Sequence, residues 1–314
     1  MSFSGDVKEE LARQVSSSRH CQLAELAAFI HFAGKISIMP EGARLEIFSE
    51  HVSIVKKCYT LLKDAFGITA SIDTHTGSRI ILEKKEEVLR VLQAVKLQNV
   101  EGIPSGASDV TDGLLVQKIC CKRAFIRGAF LMSGSMSDPK KSYHFEIVCG
   151  TSNQAEQLRG IMGEFISDAK VVQRKKYYIV YIKEGAQIVD ILNVMGAHTA
   201  LMDLENVRIL KDMRNDVNRK VNCETANINK TVNAAVKQTE DIRYIQKQQG
   251  LGSLPENLYE MACLRLEHPD APLKELGEYL DPPVGKSGVN HRLRKISAIA
   301  EDLRRSKEET NDET

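Results

Sequence analysis

The sequence predicts an α+β domain made of two similar halves related by a pseudo-twofold axis, followed by an all-α domain that carries a helix-turn-helix. Three observations carry this. LAELAAFIHFAG ends at Gly34 and KRAFIRGAFLMSG ends at Gly134, and apolar character then persists in one register at an offset of one hundred residues. Leu45-Glu46-Ile47 answers Phe145-Glu146-Ile147, and Leu82, Val88 and Leu92 answer Ile182, Ile188 and Leu192. That period is too long for a solenoid repeat and fits two copies of a half-domain. The alternation of strands stops near Gly196-Ala197, and two helical stripes flank a Pro-Pro turn near the C-terminus.

Each half reads as helix, two strands, helix, two strands, helix. Residues 21–34 are helical, and Lys35 to Met39 and Arg44 to Phe48 are strands about a Pro40-Glu41-Gly42 turn. VSIVKKCYTLLKDAFG has helical periodicity closed by Gly67. ITASID and RIILE flank His75-Thr76-Gly77, and Lys84 to Leu97 is helical. The second half repeats this with YHFEIVC, a helix over 153–167, strands Lys170 to Arg174 and Tyr177 to Ile182, and a helix over 184–195. The expected first domain spans 1–197, with halves of about 1–97 and 114–197 joined by an aperiodic stretch at 98–113. A linker over 198–222 leads to the second domain, 223–314, with a long helix to about Gln249 and a new helical array after Pro255. The tail from Ser306 is polar and expected to be disordered.

The apolar fraction of 42% fits a globular chain with a real core. No run of eighteen apolar residues spans a membrane, and MSFSGDVKEELARQ lacks a secretory pattern, so a cytoplasmic protein is expected. Seven cysteines without a CxxC pair read as buried thiols in a reducing compartment. The net charge of +1 hides a local imbalance: residues 255–281 are acidic, whereas 283–305 hold six basic and two acidic side chains. A nucleic-acid footprint is therefore expected to be local.

The motif lies at about 272–305. Leu273, Leu276 and Leu280 form a short apolar stripe, and Gly277 leaves room for a crossing helix. Asp281-Pro282-Pro283 ends that helix, and Ser287 is the expected N-cap of the next. Val289, Leu293, Ile296, Ala300 and Leu303 must face inward. Ser287, Asn290, His291 and Arg294 then face outward, flanked by Lys286, Arg292 and Lys295. Arg and Asn suit guanine and adenine edges of double-stranded DNA, while the flanking cations suit phosphates. The competing reading is a solvated amphipathic hairpin used for packing.

Elsewhere, Lys170, Arg174, Lys175 and Lys176 before Tyr177-Tyr178 either line a phosphate-binding sheet face or tip a solvated hairpin, with His75 and Arg79 as first-half counterparts. Arg174, Lys175, Lys176 and Arg79 are thus candidate secondary DNA contacts. Asn227, Asn229 and Asn233 read as interdomain hydrogen-bonding groups before base readers. His20, His31, His51, His75, His144, His198, His268 and His291 make no ligand-spaced cluster with the cysteines, and the adjacent Cys120 and Cys121 point apart on a helix. No metal site, no cofactor and no phosphate loop for nucleotide hydrolysis is expected.

The two helix-ending segments, Leu26 to Gly34 and Ile126 to Gly134, resemble the signature helices of LAGLIDADG homing endonucleases, with Gly128 at the position of close helix approach. The acids that would hold the catalytic metal are replaced by Ala33 and Ser133. A methyl and a hydroxyl do not provide the hard carboxylate oxygens Mg²⁺ wants, so no catalytic residues are expected and the chain is expected not to be an enzyme. CKRAFIRGAFLMSGSMSDPKKSYHFEI (121–147), NRKVNCETANINKTVNAA (218–235) and KSGVNHRLRKI (286–296) further resemble the WhiA family across the whole chain. That resemblance implies a nucleoid-associated, DNA-binding transcriptional regulator linked to cell division, chromosome segregation and/or sporulation. The alternative is a scaffold whose nuclease-like domain binds another regulatory protein while the helix-turn-helix holds DNA.

Overall fold

The computed structural model describes residues 2–39, 42–73, 78–97 and 110–312. Pro40-Glu41, His75-Thr76-Gly77 and most of the 98–113 connector lie outside the described residues. The chain divides into two compact units, Met1–Asp212 and Met213–Thr314. The division falls inside the stretch expected to be a linker.

The first unit opens with α1 (Phe3–Ala12), absent from the sequence reading although Val7 and Leu11 supply a buried stripe. The Ser2 hydroxyl caps it by accepting from Gly5 N at 3.2 Å. α2 (Arg19–Ala33), β1 (Gly34–Met39), β2 (Gly42–Ser49), α3 (Val52–Phe66), β3 (Ser71–Asp73), β4 (Ser78–Leu82) and α4 (Lys85–Ala94) complete the first half. α5 (Ile119–Ser133), β5 (Gly134–Met136), β6 (Phe145–Cys149), α6 (Ser152–Met162), β7 (Lys170–Arg174), β8 (Tyr177–Ile182) and α7 (Gly185–Met195) form the second. Each half holds one antiparallel four-stranded sheet, ordered β1-β2-β4-β3 and β5-β6-β8-β7.

The register proves the repeat residue by residue. Gly34 pairs with Ile47 as Gly134 does with Ile147, and Leu45 with Leu82 as Phe145 does with Ile182. The offset slips by one residue only at the outer strands, where Ser71 pairs with Ile81 but Lys170 with Tyr181. Strand alternation sends Leu45, Ile47, Ile80 and Leu82, and likewise Phe145, Ile147, Val180 and Ile182, toward the helices. Gly67, at φ +68°, closes α3 as expected, since this left-handed backbone disfavours side chains.

The two halves meet along α2 and α5, which pack against each other over their length. Gly128 makes this possible. A Cβ there would stand 2.8 Å from Ala28 Cβ and 2.9 Å from the Glu25 carbonyl oxygen, so the helices approach at backbone distance. Glu25, fully buried on α2, is matched by Arg127 of α5 and by Lys57 of α3.

α8 (His198–Gln249) contains the boundary between the units. Its first turn is capped by Glu10 of α1, whose carboxylate accepts from Thr199 N at 2.8 Å and Ala200 N at 3.0 Å. Negative charge suits this helix end. Ala200 and Leu204 are buried in the first unit's core, so residues 198–212 are part of that unit. In the second unit, α8 is followed by a 3-10 turn at Leu251–Ser253, α9 (Glu256–Glu267), α10 (Leu273–Glu278) and α11 (Lys286–Asp312). α11 runs through Asp312, seven residues past Arg305, correcting the expectation of a disordered tail from Ser306.

Candidate nucleic-acid interface

The second unit's core explains which face of α11 is presented. Leu258, Met261 and Ala262 of α9, Leu276 of α10, Leu280, and Ile242 and Ile245 of α8 enclose Val289, Leu293, Ile296 and Ala300. Leu303 packs against them from the rim. The 4-3-4 spacing of those α11 residues leaves one face for solvent. Gly277 is where the motif closes: a Cβ there would collide with the Val284 carbonyl oxygen and reach Val289 at 3.1 Å. Val284 N donates to Gly277 O at 2.9 Å, folding the 279–285 turn back over α10. Arg265, 2% exposed, fastens the preceding loop by donating through Nη1 to Pro269 O and Ala271 O at 3.2 and 2.8 Å. Burial lowers its pKa, against the pull of Asp270.

On α11, Ser287, His291, Arg294 and Lys295 are exposed, Lys286 is exposed at the first helical position, and Asn290 is half-buried beside the core. Ser287 lies within the first turn rather than at the N-cap, because the helix starts one residue earlier at Lys286. Its hydroxyl thus belongs to the outward face. Arg292 is turned away from that face. Its Nη1 lies 3.8 Å from Glu260 and donates to Asn257 O at 3.5 Å, joining α11 to α9. The acidic side chains Glu256, Glu260 and Glu267 line a hollow with Tyr259, Cys263 and Asp281. The cationic face therefore begins at the N-terminus of α11, where the helix dipole also favours an anion.

In the first unit, Ala33 and Ser133 end α2 and α5 immediately before the strands. The Ser133 hydroxyl donates to Ala129 O at 3.3 Å, and Asp138, just beyond, accepts from Lys140 N at 2.9 Å. These residues do not fit Mg²⁺, a hard cation that takes oxygen ligands and usually one or two carboxylates. No catalytic step through such a metal follows from this chain.

The secondary basic candidates fall into two environments. Arg79 lies 3.8 Å from Asp73 and 3.9 Å from Glu46, and its neighbour Arg44 pairs with Glu46 at 2.7 Å. Arg174, Lys175 and Lys176 are exposed at the β7–β8 hairpin, with the Lys176 ammonium 5.2 Å from the Tyr177 ring centre. Asn227, Asn229 and Asn233 are exposed on α8, and Asn227 contacts Cys223 of its own helix at 3.8 Å.

One grouping escaped the sequence. His20, Cys21, Cys120 and Cys121 place their ligand atoms within 4.8 Å of one another, correcting the expectation that histidine and cysteine form no cluster. The adjacent side chains turn toward each other instead of apart, with His20 Nδ1 3.3 Å from Cys21 Sγ, and the packing of α2 against α5 brings Cys120 and Cys121 to the same place. Nor are all the thiols buried, since Cys120 and Cys223 are exposed. Burial pushes the Cys121 thiol up to about 11, with Cys21 and Cys120 adding to it, and Cys21 is raised by burial too.

Comparisons with known proteins align with this anatomy. Residues 19–92 match the WhiA N-terminal LAGLIDADG-like domain, 122–214 the WhiA LAGLIDADG-like domain, and 217–300 the WhiA C-terminal HTH domain. The chain is 50% identical to the probable cell division protein WhiA of Lachnoclostridium phytofermentans, covering 97% of this chain and 100% of that one. It is 49% identical to the probable cell division protein WhiA of Alkaliphilus oremlandii, covering 98% and 99%. Its structure is similar to the crystal structure of full-length DUF199/WhiA from Thermatoga maritima, with a TM-score of 0.59, 25% identity, and coverage of 96% and 99%. Among the described residues, no helix is long and apolar enough to cross a membrane.

Proposed function

The chain belongs to the WhiA family, and we propose that it is a sequence-specific, DNA-binding transcriptional regulator of cell division that does not cut DNA. The observation that carries this is the outward face of α11: Ser287, His291 and Arg294 are exposed on its first three turns, beside Lys286 and Lys295. An α-helix presenting its N-terminal residues this way fits a major groove, with bases read by the polar groups and phosphates held by the lysines. The relatives' description as cell division proteins supports the biological assignment. Roles in chromosome segregation and sporulation, and residence on the nucleoid, belong to the same proposal. Ala33 and Ser133 support the absence of cleavage.

A second role for the first unit is favoured by one observation. Arg44 and Arg79 are matched by Glu46 and Asp73 on the face of the first sheet turned away from the helices. Such a charge-balanced face suits a regulatory protein partner better than a phosphate backbone.

The experiment is a genome-wide map of sites bound by the full chain, repeated with Arg294→Ala. The proposal expects discrete peaks near division genes that Arg294→Ala erases. Purified protein incubated with the same fragments and Mg²⁺ or Mn²⁺ should leave them intact, and site-specific breaks would refute the non-enzymatic reading.

A further inference from the structure

The N-terminal turns of α2 and α5 lie side by side, and their second and third residues meet. Nδ1 of His20 stands 3.3 Å from the Sγ of both Cys21 and Cys121, and 3.9 Å from that of Cys120. All four ligand atoms lie within 4.8 Å of one another. The pairs are related by the repeat, His20 to Cys120 and Cys21 to Cys121, so the cluster sits where the two halves abut.

We propose that His20, Cys21, Cys120 and Cys121 bind one Zn²⁺, which clamps the two halves together at the N-terminal ends of their central helices. Zinc takes thiolate sulfur at about 2.3 Å and imidazole nitrogen at about 2.0–2.1 Å in a tetrahedron, which sets ligand-to-ligand edges of roughly 3.4–3.8 Å. The sulfur-nitrogen distances here are close to that already. Three soft sulfurs and one imidazole, with no carboxylate, select zinc over magnesium or calcium. Four protein ligands close the coordination shell, which makes the site structural. Its surroundings suit it. Cys21 and Cys121 are buried with Ala24 and Ala124, whose small side chains let the helix ends draw together. His20 and Cys120 are exposed and give the ion a path in. The four residues lie in the first turns of α2 and α5, where the helix dipole favours the net negative charge of three thiolates around one Zn²⁺. Binding releases the three thiol protons to solvent and involves no change of oxidation state. The clamp is independent of how the chain engages DNA.

The test uses the full chain, purified without chelator and kept reduced. Elemental analysis should find about one zinc per chain. After chelation, added Co²⁺ should produce the sulfur-to-cobalt charge-transfer band and the intense visible bands of tetrahedral coordination, and added Zn²⁺ should erase them. Chelation should lower the melting temperature, and Zn²⁺ should restore it. Cys120→Ser and His20→Ala alter exposed positions and should keep the circular dichroism of the folded chain while binding at least about tenfold more weakly. Cys223→Ser, at an exposed thiol on α8, should bind like the parent. The proposal is overturned if the reduced, folded chain takes up neither ion, or if the cobalt spectrum persists unchanged in Cys120→Ser. It is overturned equally if two of the thiols are found joined as a disulfide and the chain, once reduced, still binds no metal; the cluster would then be redox chemistry.

Discussion

Arg127 on α5 donates through Nε and Nη2 to both carboxylate oxygens of Glu25 on α2, at 2.9 and 3.1 Å. Glu25 has no exposed surface. Lys57 on α3 pairs with the same carboxylate and donates to Leu11 O at 2.8 Å, while Arg127 Nη1 donates to Met195 O at 3.2 Å. One buried anion therefore binds the other half of the unit and a neighbouring helix of its own half. Such a bidentate arginine pair is directional as well as strong.

Replacing that anion should be severe. Glu25→Gln leaves two cations buried without a counter-charge, and breaking a buried ion pair from one side costs about 3–5 kcal/mol. Urea unfolding of the first unit should show its midpoint falling accordingly. Glu25→Gln combined with Lys57→Met should recover part of the loss, and no recovery would mean that Lys57 is not held by this carboxylate.

Lys57 also sets a pH dependence. Burial lowers its pKa from the ordinary 10.5 to about 8, with Glu25 opposing and Arg127 lowering it further. The neutral amine leaves Glu25 and Arg127 balanced. Between about pH 8 and 10.5 the unfolded chain holds a proton that the folded chain releases, so stability rises with pH there. The contribution is complete above 10.5 and lost as pH falls through 8. The difference in unfolding free energy between the parent and Lys57→Met should move toward the parent from pH 7.5 to pH 10; a flat difference would sink the argument.

Gly128→Ala should already be destabilising, because the nearest atoms include the Glu25 backbone carbonyl, which cannot swing aside. Gly128→Leu should be worse, with overpacking of this kind costing about 1–3 kcal/mol or more. Thermal unfolding is the measurement, and Gly160→Ala, where a Cβ meets nothing within 4 Å, is the control expected to show no such loss.

Arg294 and the flanking lysines should separate by kind of effect. Arg294→Ala should cost roughly 1–3 kcal/mol on a specific duplex and relax preference at one base position. Lys286→Ala and Lys295→Ala should weaken specific and scrambled duplexes alike and flatten the salt dependence. Arg292→Ala should instead lower the stability of the second unit, because Arg292 joins α11 to α9. Titrations across a salt series decide between them. An unchanged ratio of specific to scrambled affinity in Arg294→Ala would move the reading face elsewhere.

What the sequence made legible was what is local or repeated. The α11 stripe of Val289, Leu293, Ile296 and Ala300 could be read because neighbours at three and four residues share a helix face. The sheets could be read because alternation and the hundred-residue register reinforce each other. α1 was overlooked although Val7 and Leu11 gave its spacing. Arg292 looked like its basic neighbours until α9 placed Glu260 beside it. Glu25 gave no sign of burial, since its partners lie 32 and 102 positions away and only the fold brings them in. The His20 and cysteine grouping was hidden the same way, half of it contributed by each copy.

The repeat relates the two sheets closely in backbone, yet their chemistry has parted. Where the first offers Arg44 and Arg79 neutralised by Glu46 and Asp73, the second offers Arg174, Lys175 and Lys176 at an exposed hairpin. A partner that is itself twofold symmetric offers the same face to both sheets and so cannot match the two at once. An asymmetric partner lying along this unit would be given a heading, since its two ends would meet different charge patterns. A scaffold doubled in shape has in this way become a vector.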